Sequence, residues 1–377
     1  MVFTKGQANT PFDVIPFEMI NGHITVDISI NDSEPLHFVF DTGAGTNLLS
    51  ESTAERLGLD LGGNTNIQGA SGSSSMKLAR NERFTFGETL FKRQDFAVMD
   101  ISHLGEEDAP IDGVLGASIL MRFVVEIDYD KSEIRLYKTI KDFETTGYSE
   151  YGYSLSPYRI PVIEATMELD NGKKLTGRYF VDTGAALSIM VNSNLVKDEA
   201  LLENMGEHYP IISTSLSNSE TDQISIMPKF NLFDQSFENF EVRLSQATQG
   251  VNSFDGFHGI IGIYLLQRFN TVFDYKNEAV YVKPNSNYDQ PFSRNYSGLQ
   301  VRKTNGHYRV IGVAKNSAAD LANLKEGDII ERLDGKSFQT RDDFSDYFQN
   351  NSGKITVELR RNGQKLKLPL RPKPTIN

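Results

Sequence analysis

Two aspartates in this chain share an unusual setting. Asp41, in "FVFDTGAGTNLLS" (38–50), and Asp182, in "RYFVDTGAALSIM" (178–190), each end an apolar run and each lead into Thr-Gly. A carboxylate at the end of a buried strand must be paired, solvated or put to work, because burying a lone charge costs several kcal/mol. If a pseudo-two-fold axis brings the two together, like charges a few ångströms apart cannot both ionise, so the pair holds one proton. A water between them then has a base to take its proton and an acid to protonate a carbonyl oxygen. That is direct amide hydrolysis with no covalent intermediate. Gly43 and Gly184 permit the tight turn that aims each carboxylate, and Thr42 and Thr183 are small hydroxylated residues able to hydrogen-bond across to the opposite lobe. The plainer reading, that these are only strand-ending Asp turns, fits poorly with the flanking "FVF" and "YFV".

The elements that must position these residues come in two copies. "IPFEMINGHITVDISINDSEPLHFVF" corresponds to "IPVIEATMELDNGKKLTGRYFV", an alternating strand, a polar turn and a second strand. Further on, "DGVLGASILMRFVVEIDYDKSEIRLY" corresponds to "HGIIGIYLLQRFNTVFDYKNEAVYV". Gly116, Phe123, Asp128 and Tyr129 thereby match Gly262, Phe269, Asp274 and Tyr275. Short helices are expected only near Glu51–Leu57 and Ser118–Met121. Asp112 and His258 precede the paired hydrophobic-Gly elements and are read as structural. Asp128 and Asp274 are read as turn formers.

Composition excludes several classes. The chain has 377 residues, 39% apolar and 23% charged, with 24 Phe and 15 Tyr, as an ordinary globular protein does. No apolar run approaches membrane-spanning length, and the N-terminus lacks the pattern of a signal peptide. With no cysteine, disulfides, thiol catalysis and thiolate metal sites are out. The six His residues are scattered without ligand-like spacing, so no metal site is expected, and no cofactor. The net charge of −12 argues against nucleic acid. Residues 296–377 nonetheless hold 15 Lys/Arg against 9 Asp/Glu, which marks a separate module.

Over residues 11–284 the chain resembles the aspartic proteases. "FDTGAGTNLLS" and "VDTGAALSIM" are similar to that superfamily's catalytic turns, and "VLG" (114–116) and "IIG" (260–262) to its hydrophobic-hydrophobic-Gly element. The single-chain duplication is similar to pepsin, and Ala at the fourth motif position to the retroviral proteases. The whole arrangement most resembles bacterial retropepsin-like proteases with a C-terminal PDZ domain. The resemblance implies Asp41 and Asp182 as the catalytic pair, supported by Thr42, Gly43, Thr183 and Gly184. Pepsins place a hydroxyl donor where this chain has Ala44 and Ala185, and losing a donor to the charged form raises a carboxyl pKa. Mild acid or neutrality is therefore the expected working range. The family closes a hairpin over its substrate. In "IQGASGSSSMKL" (67–78) a flap centred on Gly69, Ala70, Ser71 and Gly72 is expected, whereas "STSLSNSETDQI" (213–224) has no Gly and is expected not to be the dominant flap.

In the C-terminal module two strands, a helix (Ala318–Leu324), "KEGDIIERLDG", a helix (Arg341–Phe348) and two strands follow in order. "LKEGDIIERLDGKSF" resembles PDZ domains. Ser297, Gly298, Leu299, Gln300 and Val301 stand where that family holds a peptide carboxylate in backbone N–H groups, with Gln300 in place of the second Gly of the usual loop.

The expected fold is mainly β: two duplicated aspartic-protease-type lobes facing each other across a cleft, plus a small α+β PDZ-like domain. The expected divisions are a first lobe at 1–138, an inter-lobe linker at 139–157, a second lobe at 158–284, a linker at 285–295 and the PDZ-like domain at 296–377. The expected function is endopeptidase action on peptide or protein substrates, with the PDZ-like domain recruiting substrates, binding a C-terminal peptide or regulating. The alternative is an inactive peptide-binding scaffold of the same fold. A two-carboxylate glycosidase would lack any Trp to stack on sugar and leaves the duplication unexplained. The family resemblance points to a bacterial periplasmic or secreted location.

Overall fold

In the computed structural model the described residues are 10–69, 72–106, 109–214 and 219–376. The alternating strands predicted from the repeat form two eight-stranded sheets of matching order. In the first lobe the strand Leu36–Phe40, which ends on Asp41, pairs in parallel with Gly113–Leu115. In the second, Lys174–Val181, which ends on Asp182, pairs in parallel with Gly259–Ile261. These neighbours are the two hydrophobic-Gly segments. Each is flanked on its other side by the strand that follows the Asp-Thr-Gly turn, Asn47–Ser50 or Ile189–Val191.

The phenylalanines fill the lobes. Phe38, Phe40, Phe84, Phe86, Phe91 and Phe96 are fully buried in the first lobe, with Phe84 stacked on Phe91 at 4.6 Å between centroids. Tyr179, Phe230 and Phe240 do the same in the second. Such ring packing adds to area burial and makes each Asp-bearing strand a rigid mount.

A six-stranded sheet joins the lobes, with Val124–Asp128 antiparallel to Phe269–Asp274. Asn270 ties this seam: its side chain accepts from the Tyr129 N–H at 2.9 Å and donates to Asp128 and Asp130 at 3.2 and 3.0 Å. Asp128 is therefore more than a turn former, since it also faces Arg135 at 2.9 Å. The 139–157 stretch differs from a bare linker. Its Ser149–Gly152 pairs with Ala279–Pro284 and completes the inter-lobe sheet. Gly and Ser content signalled a tether there, but sheet-edge pairing outweighs the low propensity.

The stretch 285–295 is also packed. Arg268 donates to the carbonyls of Asn287, Tyr288 and Gln290, and its guanidinium lies 3.6 Å from the Phe292 ring centroid. Beyond it a five-stranded sheet begins with Leu299–Thr304, at its edge, and His307–Val313. It carries helices Ala318–Leu321 and Arg341–Gln349 and closes with Ile355–Arg361 and Gln364–Leu370. Among the described residues no helix is long and apolar enough to cross a membrane.

Candidate active site

Each Asp-Thr-Gly turn is held from behind by its own lobe. The Asp41 N–H donates to the Leu115 carbonyl at 2.8 Å and the Asp182 N–H to that of Ile261 at 3.0 Å. The Ala44 carbonyl accepts from Ala117 at 2.9 Å, and the Ala185 carbonyl from Ile263 at 3.0 Å. Gly116 presses so closely on Ala44 that a Cβ there would overlap its carbonyl oxygen. The hydrophobic-Gly segments thus back the two turns.

Across the lobes the two turns interlock. The Thr42 N–H donates to Thr183 Oγ1 and the Thr183 N–H to Thr42 Oγ1, both at 3.0 Å. Thr42 Oγ1 in turn donates to the Val181 carbonyl at 2.8 Å, and Thr183 Oγ1 to that of Phe40 at 3.1 Å. Both threonines are 1% exposed, so none of these groups has water as an alternative.

The lock brings the carboxylates face to face. A Cβ at position 43 would overlap the Asp182 carboxyl, and one at 184 the Asp41 carboxyl. Glycine is required here because each α-carbon lies against the opposite acid. Gly43 N–H donates to Asp41 Oδ1 at 2.6 Å and Gly184 N–H to Asp182 Oδ1 at 2.9 Å. Both acids are enclosed by protein yet keep a part-exposed side. Burial, then the facing Asp182 carboxylate, pushes the Asp41 carboxyl well above its usual range. Burial also raises Asp182, opposed by its hydrogen bond with Asp41 and then by the Gly184 and Ala185 N–H groups. The two carboxyls therefore titrate as a coupled pair, each raised above its ordinary range. The donors are backbone amides, with no hydroxyl from Ala44 or Ala185.

The first-lobe hairpin pairs Leu61–Gly69 with Gly72–Phe86, Gly69 facing Gly72. Ala70 and Ser71, the expected flap tip, lie outside the described residues. The second-lobe hairpin Tyr209–Thr214 with Ser219–Leu232 holds the equivalent place in its sheet. Residues 215–218 of it lie outside the described set.

Asp112 and His258 are structural in their contacts. Asp112 accepts from the His37 N–H, Thr53 Oγ1 and Arg56. His258 packs edge-on against Tyr179. Among the described residues no cluster of three or more His, Asp or Glu could hold a metal ion.

The expected carboxylate loop of the C-terminal domain is filled from within. Asn295 Oδ1 accepts from the N–H groups of Ser297 and Gly298 at 3.1 and 2.8 Å, and Ser297 Oγ accepts from the Leu299 N–H at 3.0 Å. Leu299 is buried in the domain's core, Val301 packs against it, and Gln300 reaches out to Ile212. Asn295 escaped notice in the sequence, although Asn two and three residues before the amides it caps is the pattern of an Asx turn.

Three more groups cluster beside the second turn without any motif to announce them. Arg243 donates to the Ala186 carbonyl at 3.3 Å. Arg341, from the C-terminal domain, bonds Asn21. His23 is lowered to about 4 by burial and by Arg341, and so stays neutral near pH 7.

Comparison with family models finds two matching segments. Residues 26–119 match the aspartyl protease family model and residues 296–371 the PDZ domain model. No curated protein matches the sequence. Among solved structures, the aspartic proteinase from Irpex lacteus is 13% identical with a TM-score of 0.45, covering 74% of this chain and 98% of that one. The chain is thus similar to the aspartyl protease model in its first lobe, repeats that lobe structurally, and is similar to the PDZ model in its C-terminal domain.

Proposed function

We propose that the protein is an endopeptidase whose hydrolytic water is activated by Asp41 and Asp182. The observation that carries this reading is the seating of each carboxyl against the opposite glycine. In the working form one carboxyl is ionised and the other protonated. The ionised member takes a proton from a water lying between them. The protonated member gives its proton to the scissile carbonyl oxygen as the water attacks, forming a tetrahedral diol. The newly protonated member then gives its proton to the departing nitrogen while the other takes a proton from a diol hydroxyl, so that the C–N bond breaks, the carboxylic acid forms and the pair is restored. The cross-lobe threonine lock keeps the carboxyls in register through the cycle, and the first-lobe hairpin is the mobile cover over the substrate. The PDZ domain regulates access to the cleft, a role favoured by the occupation of the Ser297, Gly298 and Leu299 amides within its own loop.

A peptide library assayed with and without a statine-type transition-state analogue tests this. Cleavage should occur, be blocked by the analogue, and fall at least about 1,000-fold in Asp41→Asn and in Asp182→Asn. The optimum should lie in mild acid or near neutrality. Unchanged activity in either variant sinks the dyad, a profile peaking below about pH 3 sinks the pKa argument, and no cleavage of any peptide favours the inactive scaffold.

A further inference from the structure

The C-terminal domain is joined to both lobes by side-chain contacts. Gln300 makes two bonds to one residue: its Oε1 accepts from the Ile212 N–H at 2.8 Å, and its Nε2 donates to the Ile212 carbonyl at 2.9 Å. Ile212 lies in Tyr209–Thr214, the edge strand of the second-lobe sheet. Its outward N–H and C=O are the groups an added strand would take. One carboxamide thus supplies the donor and acceptor that a neighbouring peptide group would supply.

An apolar plug lies beside this latch. Ile376 is 4% exposed and buried with Ala314 of the PDZ domain against Tyr209 and Ile224 of the hairpin. Behind the hairpin, Glu241 accepts from the Asn295 N–H at 2.8 Å and Arg294 donates to the Asn239 carbonyl at 2.6 Å. The first lobe is gripped too. Lys303 pairs with Glu106 at 3.4 Å, both side chains being nearly buried, and Arg341 donates twice to Asn21.

These contacts and the filled carboxylate loop point the same way. We propose that the partner of the PDZ domain is this chain's own second-lobe hairpin, which the domain clasps in cis through Gln300 and Ile376. The clasp pins the second-lobe hairpin at its outer edge strand Tyr209–Thr214. It also explains why a chain with Gln at this loop position keeps a PDZ fold, since the side chain that replaces glycine is the latch. That the clasp sets how peptides enter the cleft rests on the endopeptidase reading above.

Hydrogen exchange in the full chain, read at Ile212 and across Tyr209–Thr214, tests the clasp without depending on activity. Gln300→Ala should speed exchange at the Ile212 amide by roughly tenfold or more, with Ile355–Arg361 unchanged as a check that the PDZ domain stays folded. Gln300→Glu keeps the acceptor but sets a carboxylate against the Ile212 carbonyl, and should give the same loss. Unchanged exchange in both variants overturns the proposal. In peptide cleavage, Gln300→Ala should raise KM roughly three- to tenfold with kcat within about twofold, because substrate must then order the hairpin. Faster exchange with KM unchanged overturns the link to peptide entry. If the wild type cleaves nothing, the endopeptidase reading fails while exchange still decides the clasp.

Discussion

Replacing Thr183 by Val removes a hydroxyl at nearly constant shape, and its cost can be worked from two bonds. Thr183 Oγ1 accepts from the Thr42 N–H at 3.0 Å and donates to the Phe40 carbonyl at 3.1 Å. Both partners are backbone groups beside residues 1% and 0% exposed, so neither finds water when the hydroxyl is gone. An orphaned buried group costs about 1–3 kcal/mol, which puts Thr183→Val at about 2–6 kcal/mol. Thr42→Val orphans a different pair, the Thr183 N–H and the Val181 carbonyl, and belongs in the same range. Since the two hydroxyls share no partner, the double variant should approach the sum, enough to unfold a body of ordinary stability, about 5–15 kcal/mol. Thr183→Ser keeps the hydroxyl and loses only a methyl, about 1 kcal/mol. Guanidinium unfolding at pH 7, followed by the near-ultraviolet signal of the tyrosines, measures all four. If the Val and Ser variants at 183 unfold together, or Val falls within about 0.5 kcal/mol of wild type, the lock contributes nothing and the reasoning is wrong.

Two further outcomes follow from the paired acids and the first-lobe hairpin. Because Asp41 titrates above its unfolded value, the folded state binds more protons than the unfolded one across that window. Wild-type stability should therefore fall as pH rises from about 4 towards the raised value. Asp41→Asn, which mimics the protonated acid, should be the more stable protein at pH 7 and lose that advantage near pH 3; urea midpoints at several pH values that track each other would contradict this. Limited proteolysis should cut between Gly69 and Ser75 in the free enzyme and much less in the complex with a transition-state analogue. Equal cutting in both would remove the first-lobe hairpin from the closing role.

What could be read along the chain was whatever repeats or has a local cause. The two Asp-Thr-Gly turns, their apolar lead-in strands and the hydrophobic-Gly segments carry their own patterns, because strand alternation and tight turns are properties of a few consecutive residues. The duplication supplied the second half of the candidate site, since a copied lobe implies a copied carboxylate and an axis between them. The PDZ order of elements was legible for the same reason.

Tertiary structure decided what depends on residues far apart in sequence and on which surfaces meet. Ser149–Gly152 became a strand because an open edge at Ala279–Pro284 was there to pair with it. Gln300, in sequence only a departure from a glycine, found its meaning in Ile212, 88 residues away. Asn295 closed a loop that backbone pattern alone left open. No local pattern encodes these, since a hydrogen bond is chosen by what the packed fold brings within about 3 Å. Asp41 itself shows the division: its motif named it as a candidate acid, but only the fold set it against Gly184 and a second carboxylate, where burial and like charge raise its pKa together.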